Sequence, residues 1–302
     1  MNAITVEGLT KSYGRTKAVD GLSFHVKRGE LFAFLGANGA GKSTAISIIS
    51  GTLSADGGRV LVNGTDVNGD NGRVKREIGA VFQTSALDLS LCGRDNLKSR
   101  AALYGIFGED FSARLSEISY MLDLAEILDR PLSHLSGGQR RKIDLARALI
   151  HDPKILILDE PTTGLDPNTR AALWQTVSEL REREGLTVLL TTHYMEEAAE
   201  ADRVLIIDKG KIAAEGTPYE LKTKYAEDYI TVYGQAEEKI RALGYPYETV
   251  SGAYRIRVPD THVAREIILG SPEVFVDYEV TKGKMDDVFL AVTGKSMGGD
   301  DK

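Results

Sequence analysis

The chain is poor in several things that would narrow its function. Of its 302 residues one is cysteine, Cys92, which excludes an internal disulfide and suits a reducing compartment. Cys92 itself reads as a small, partly buried apolar residue. There is one tryptophan, Trp174, expected in the core. Positive charge is in deficit: the net charge of −7 argues against a general nucleic-acid-binding surface, and no nucleic-acid partner is expected. No uninterrupted apolar run approaches the roughly 18 residues needed to span a bilayer, so any membrane work requires spans from other chains. The first residues show no basic segment followed by an apolar core, so no secretory signal is expected. What remains is ordinary for a soluble globular protein, with 42% hydrophobic and 27% charged residues. The length suits a large domain plus a small one.

What is present begins with Gly36-Ala37-Asn38-Gly39-Ala40-Gly41-Lys42-Ser43-Thr44. Two glycines five apart, then Lys, then Ser or Thr, is the phosphate-binding loop pattern. By composition alone the pattern turns up in roughly one chain of this length in a hundred, so its context decides. Leu31-Phe32-Ala33-Phe34-Leu35 before it reads as a buried strand, and Thr44-Ala45-Ile46-Ser47-Ile48-Ile49 after it as a helix start. Glycines let the backbone turn tightly and aim N–H groups at a phosphate, and the helix adds the positive end of its dipole. Lys42 would reach the β- and γ-phosphates and the Ser43 hydroxyl would bind Mg²⁺.

Elsewhere, alternation predicts strands at 4–7 and 22–26, with Lys11-Ser12-Tyr13-Gly14 between them, and another at 59–63. A buried strand over 78–82 ends at Gln83. From about 88 to 135 the periodicity is helical, with Leu97, Ala101, Tyr104, Leu115, Ile118 and Leu122 at three- and four-residue steps, which predicts an inserted helical subdomain. Residues 140–151 read as a helix. Ile155-Leu156-Ile157-Leu158 suits a strand buried on both faces of a parallel sheet. Asp166-Pro167 starts a helix running to 184, 187–193 is a further buried strand, and 203–216 a hairpin. Past Pro218 the order strand 229–232, helix 237–243, strands 247–250 and 254–258, helix 262–269, strand 274–280, helix 285–292 follows the ferredoxin-like βαββαβ pattern plus a terminal helix. Residues 298–302 read as a frayed tail.

A phosphate cradle needs a metal-holding acid and a group to activate water. Asp159 and Glu160 stand where the 155–158 strand runs out, the place where open α/β sheets bind ligands. Asp159 would hold Mg²⁺ through water and Glu160 would act as general base. Leu135-Ser136-Gly137-Gly138-Gln139 forms a second anion site at a helix start, from N–H groups, a hydroxyl and a helix dipole. One nucleotide uses one such cradle, so the second makes sense for a nucleotide bound to another copy. The adjacent Arg140-Arg141-Lys142 reads as a solvated charge run.

In these elements and their order the sequence resembles the ATP-binding cassette (ABC) family over roughly 4–216. The resemblance implies an α/β P-loop NTPase cassette over 1–217, with a mostly parallel sheet, an antiparallel β subdomain and the helical insertion. A small α+β ferredoxin-like domain over 218–302 follows. Tyr13 matches the aromatic that stacks on adenine and Gly36–Thr44 the Walker A loop. Gln83 matches the Q-loop residue that senses Mg²⁺ and the membrane partner. Leu135–Gln139 matches the signature and Ile155–Glu160 the Walker B strand. Thr163-Gly164-Leu165-Asp166 matches the D-loop, and His193 the switch histidine that contacts the γ-phosphate. Two cassettes are implied to dimerise head-to-tail, with ATP between Gly36–Thr44 of one copy and Ser136–Gln139 of the other.

Leu87-Asp88-Leu89-Ser90-Leu91-Cys92-Gly93-Arg94-Asp95-Asn96-Leu97 resembles the segment after the Q-loop in ATPase subunits of ABC-2-type exporters, notably the daunorubicin-resistance type. Cys92 stands where that group commonly has Thr. Met285-Asp286-Asp287-Val288-Phe289-Leu290-Ala291-Val292-Thr293-Gly294 resembles that group's C-terminal segment. The resemblance implies a cytoplasmic ATPase on the inner face of the membrane, paired with separate permease subunits. An importer ATPase is the nearest rival and a non-transport ABC ATPase the next. A translation factor of this type would carry two cassettes, and a DNA-repair ATPase long heptad arms, which this sequence lacks. The small domain reads as a dimer brace or a ligand sensor, with no metal or catalytic cluster.

Overall fold

The computed structural model describes residues 1–294, and the tail expected at 298–302 lies outside them. The chain divides into two compact units, residues 1–194 with 201–212, and residues 195–200 with 213 onward.

The first unit opens with β1 (Asn2–Tyr13) and β2 (Thr16–Lys27), an antiparallel hairpin longer than the two short strands expected. The presumed spacer at 11–14 is mostly strand, because pairs such as Lys11↔Val19 and Tyr13↔Thr16 continue the ladder through polar residues. Cross-strand pairing overrides single-residue preference. Next come β3 (Leu31–Leu35), buried throughout, and α1 (Lys42–Ile49). β4 (Gly57–Val62) and β5 (Thr65–Asp66) complete an antiparallel sheet ordered β2-β1-β4-β5. α2 (Asn71–Glu77), whose first turn is capped by Asp70, leads into β6 (Ile78–Val81). The helical insertion follows as α3 (Gly93–Ala102) and α4 (Gly108–Met121), which bury Leu97, Ala101, Phe111, Leu115 and Ile118. Turns and a short 3₁₀ segment at Leu132–His134 close it.

α5 (Gly137–Leu149), β7 (Ile155–Asp159), α6 (Pro167–Glu184) and β8 (Thr187–Thr192) then alternate. α6 buries Leu173, Val177 and Leu180, whereas Trp174, expected in the core, is only half-buried because it points off that stripe. After α7 (Met195–Ala199), which belongs to the second unit, β9 (Arg203–Asp208) and β10 (Lys211–Gly216) form the hairpin. The central sheet is ordered β10-β9-β3-β8-β7-β6, and its pairs from β9 to β6 are parallel. Leu35 pairs with Thr192 and Asp159 with Thr191, so β3, β7 and β8 end level with one another. The loops carrying Gly36, Glu160 and His193 therefore leave the sheet side by side, at its carboxyl edge.

In the second unit α8 (Pro218–Tyr225) precedes β11 (Asp228–Val232), α9 (Glu237–Ala242), β12 (Tyr247–Val250), β13 (Ala253–Val258), α10 (Thr261–Gly270), β14 (Tyr278–Thr281) and α11 (Met285–Thr293). The sheet is antiparallel and ordered β12-β13-β11-β14, the ferredoxin-like arrangement. Its core holds Ile230, Val232, Ile256, Val258, Ala264 and Ile267. The strand expected over 274–280 starts only at Tyr278, because Val274 and Phe275 reach the core from a turn in which the Val274 N–H donates to Ser271 O.

His151, just past α5, joins three parts of the first unit. Its Nε2 lies 3.0 Å from the Ile78 carbonyl at the start of β6, so that nitrogen carries the proton. Its ring stacks on Tyr104 of the insertion, centroids 3.9 Å apart and 7° from parallel. Burial pushes its pKa down to about 4, and the charges of Arg100 and Arg114 push the same way. The unfolded chain takes up this proton first as pH falls, so the stability is fully present above about pH 6.5 and is lost between 6.5 and 4. The loss is about 3 kcal/mol. His151→Phe keeps the stacking and removes the titration. Thermal melts from pH 7.5 to 4 should fall less steeply for this variant than for the wild type; parallel curves would refute the assignment.

Candidate active site

The turn from β3 into α1 closes at Gly41, whose φ of +111° is left-handed and whose missing Cβ would stand 2.2 Å from the Ala18 carbonyl oxygen. No other residue fits there without moving the backbone. Lys42 opens the helix with its side chain buried, and its Nζ donates to Gly36 O at 2.7 Å and Ala37 O at 3.2 Å. Ser43 Oγ is 3.4 Å from Asp159 Oδ1.

β7 delivers the two acids. Glu160 follows Asp159 with φ +47°, a left-handed conformation for a residue with a Cβ, strained by on the order of 1–3 kcal/mol. Thr191 of the neighbouring strand holds it: the Glu160 N–H lies 3.1 Å from Thr191 O and 3.0 Å from Thr191 Oγ1. The same hydroxyl donates to Asp159 Oδ1 at 2.5 Å. One threonine thus orients both carboxylates. The turn points the Glu160 side chain inward, with Oε1 3.5 Å from Lys42 Nζ. Oε2 accepts from Gln83 Nε2 at 3.2 Å and lies 3.5 Å from both His193 Nδ1 and Thr163 Oγ1.

Burial sets the electrostatics. It raises the Asp159 carboxyl above the usual carboxylate range, with the Thr191 bond opposing and the Glu160 charge reinforcing. It lowers the Lys42 ammonium, against the pull of Glu160 and Asp159. A polyanion beside Lys42 and a cation beside Asp159 would each relieve a desolvated charge. The donors fit Mg²⁺: a hydroxyl and a carboxylate, hard oxygens close enough to share one ion, with the rest of its shell left to water and phosphate. Among the described residues there is no group of three His, Cys, Asp or Glu side chains able to hold a metal without such help.

The second helix start is built differently. Ser136 caps α5 with a reciprocal box: its Oγ accepts from Gln139 N–H at 3.2 Å, and Gln139 Oε1 accepts from Ser136 N–H at 3.0 Å. Asp166 caps α6, its two oxygens accepting from Thr169 N–H at 3.0 Å and Thr169 Oγ1 at 2.5 Å. Those bonds hold the Asp166 carboxyl below its ordinary range. The two starts touch, since a Cβ on Gly138 would lie 2.4 Å from Thr169 Cγ2.

The structure therefore joins Lys42, Ser43, Gln83, Asp159, Glu160 and His193 in one cluster. Ser136, Gly138, Gln139 and Asp166 group around the second helix start, and Gly137 lines a hollow of about 300 Å³ together with Gln83 and Glu160. Tyr13 stands 54% exposed at the tip of the first hairpin. Thr191 and Thr169 belong to no motif in the sequence. Thr191 and Thr192 are polar residues inside a wholly buried strand, a signal in plain sight. Arg141 is corrected: it is not solvated. Its side chain is 11% exposed, with Nε 2.8 Å from Pro161 O and Nη1 2.9 Å from Phe82 O.

Gly138→Ala should force α5 and α6 apart at Thr169 and destabilise the chain by about 1–3 kcal/mol. Thr169→Ser keeps the hydroxyl bonded to Asp166 and removes the offending methyl. Melting temperatures of both single variants and the double variant check this: the double should recover at least half of the loss, and a strictly additive decline counts against it.

Residues 19–163 match the ABC transporter family. A daunorubicin resistance ATP-binding protein of Streptomyces coeruleorubidus is 40% identical over 304 residues, spanning 97% of this chain and 96% of its own. A Nod factor export ATP-binding protein of Ralstonia nicotianae is 36% identical, over 97% of this chain and 94% of its own. A linearmycin resistance ATP-binding protein of Bacillus subtilis is 34% identical, over 97% and 99%. Among solved structures, a dimeric bacterial ABC transporter cassette superposes with a TM-score of 0.65 at 28% identity, covering 71% of this chain and 98% of its own. With the family model matched over residues 19–163 and relatives matched along almost the whole length, this chain belongs to the ABC transporter family as an ATPase of the daunorubicin-resistance type.

Proposed function

We propose that this chain powers an exporter as its ATP-hydrolysing subunit, working as a pair of cassettes beside separate membrane-spanning permease subunits. The observation that carries the reading is the Glu160 carboxylate set between Lys42, Gln83 and His193 at the mouth of the phosphate loop. The amides of 36–44 and Lys42 grip the triphosphate, and Tyr13 stacks on the adenine. Ser43, Asp159 and Gln83 are the residues that would hold Mg²⁺, and the bound ion would supply positive charge beside the phosphates. Glu160 takes the proton of the attacking water as its oxygen bonds to the γ-phosphorus. The bond to the β–γ bridging oxygen breaks, and ADP and phosphate leave. His193 contacts the γ-phosphate.

Ser136, Gly137, Gly138, Gln139 and Asp166 serve the nucleotide of the opposing cassette, as head-to-tail pairing requires. The dimeric cassette among the solved relatives supports this, and relatives named for drug resistance and Nod factor export support outward transport. Among the described residues no helix is long and apolar enough to cross a membrane, in keeping with spans supplied by other chains at the inner face of the membrane. The helical insertion near Gln83 is the surface for a permease helix. The organisation is an ATPase domain over 1–217 and a small domain from 218 that braces the dimer.

Glu160→Gln should retain ATP binding while turnover falls by on the order of a hundredfold or more, and an ATP-bound dimer should accumulate on size exclusion. Full phosphate release by that variant would sink the role of Glu160. Lys42→Ala removes a charge-assisted bond, so the ATP Kd should weaken roughly ten- to a hundredfold in a direct binding titration. An unchanged Kd would count against the cradle.

A further inference from the structure

We infer that Arg141 is a positioning residue that holds Gln83 and Glu160 in register with the signature helix, so that movement of Ser136 over one nucleotide reaches the hydrolytic base of the other. The inference rests on the preceding assignment of Glu160 as that base.

The geometry is a closed ring. Gln83 Nε2 donates to Glu160 Oε2 at 3.2 Å. Glu160 is bonded covalently to Pro161, whose carbonyl accepts from Arg141 Nε at 2.8 Å. Arg141 Nη1 donates to Phe82 O at 2.9 Å, and Phe82 is bonded covalently to Gln83. The two carbonyls that the guanidinium binds thus belong to the residues flanking the sensor and the base. A planar fork with fixed N–H directions sets the separation of two acceptors in a way that a single ammonium cannot.

The rest of α5 makes the ring transmit movement. Asp144, 1% exposed, lies 3.6 Å from Arg141 Nη1 and accepts from Arg147 Nε at 2.8 Å, while Arg147 Nη2 donates to Ala80 O at 3.0 Å. With Ile143, Leu145, Ala146 and Leu149 also buried, the helix is already anchored to β6 without Arg141. What Arg141 adds is the link to the two catalytic strand exits. Ser136 caps the same helix five residues earlier, about 7.5 Å along a rod that does not stretch. Displacing one end displaces the other.

The test compares Arg141→Met and Arg141→Lys with the wild-type chain in steady-state ATPase assays, ATP-binding titrations and thermal melts. In Arg141→Met, kcat should fall on the order of ten- to a hundredfold while the ATP Kd stays within about twofold. The Hill coefficient for ATP should drop toward one. Arg141→Lys should restore part of kcat through one carbonyl contact. If Arg141→Met does not fold, Arg141→Lys and Arg141→Gln are read alone, with the same split expected. A folded variant with kcat within about twofold of wild type overturns the inference, as does a loss of kcat matched by an equal loss of ATP affinity, which marks general damage. Wild-type turnover abolished by Glu160→Gln but indifferent to Arg141 sinks this inference alone. A wild-type chain without ATP turnover sinks the hydrolytic assignment beneath it.

Discussion

The hydrogen bonds from the Glu160 N–H to Thr191 anchor the site. A residue with a Cβ does not rest at a φ of +47° without help, and relaxing to an extended conformation would swing the carboxylate away from Lys42. The help comes from strand order. β7 and β8 are parallel neighbours with Asp159 opposite Thr191, so the threonine reaches the acid beside it and the amide one residue on. The antiparallel front sheet packs on α1, and the helical insertion on α5.

From there the electrostatics follow. Burying Lys42, Asp159 and Glu160 together places charges where water cannot screen them, and the desolvated pair Lys42 and Asp159 is pushed toward neutrality from both sides. Such a cluster is poised for a ligand carrying many negative charges along with a divalent cation. That is the chemistry of a nucleoside triphosphate with Mg²⁺, and it agrees with the family to which the chain belongs.

α5 is used on two faces. Its first residue follows the Ser136 cap, while on its buried flank Arg141 and Arg147 donate to carbonyls of β6 and of the segments that follow β6 and β7, and Asp144 accepts from Arg147. The helix thus ties its Ser136 cap to the segments that carry Gln83 and Glu160. The tight approach of Gly138 to Thr169 adds α6 to the same assembly.

The sequence by itself determined whatever a short stretch of backbone demands. Gly41 is glycine because of a left-handed turn, Ser136 and Asp166 announce helix starts through their own side chains, and four apolar residues before Asp159 declare a buried strand. Each requirement is met within a few residues, so each can be read there. Tertiary structure decided what depends on a distant partner. Arg141 looks solvated beside Arg140 and Lys142 until Phe82, 59 positions away, and Pro161, 20 away, supply its acceptors. The polar ends of β1 and β2 become strand only because each finds the other, and Val274 and Phe275 leave the strand pattern because the core reaches them at a turn. A charge or an apolar side chain is buried when its partners arrive from elsewhere in the chain, and no local pattern records where they come from.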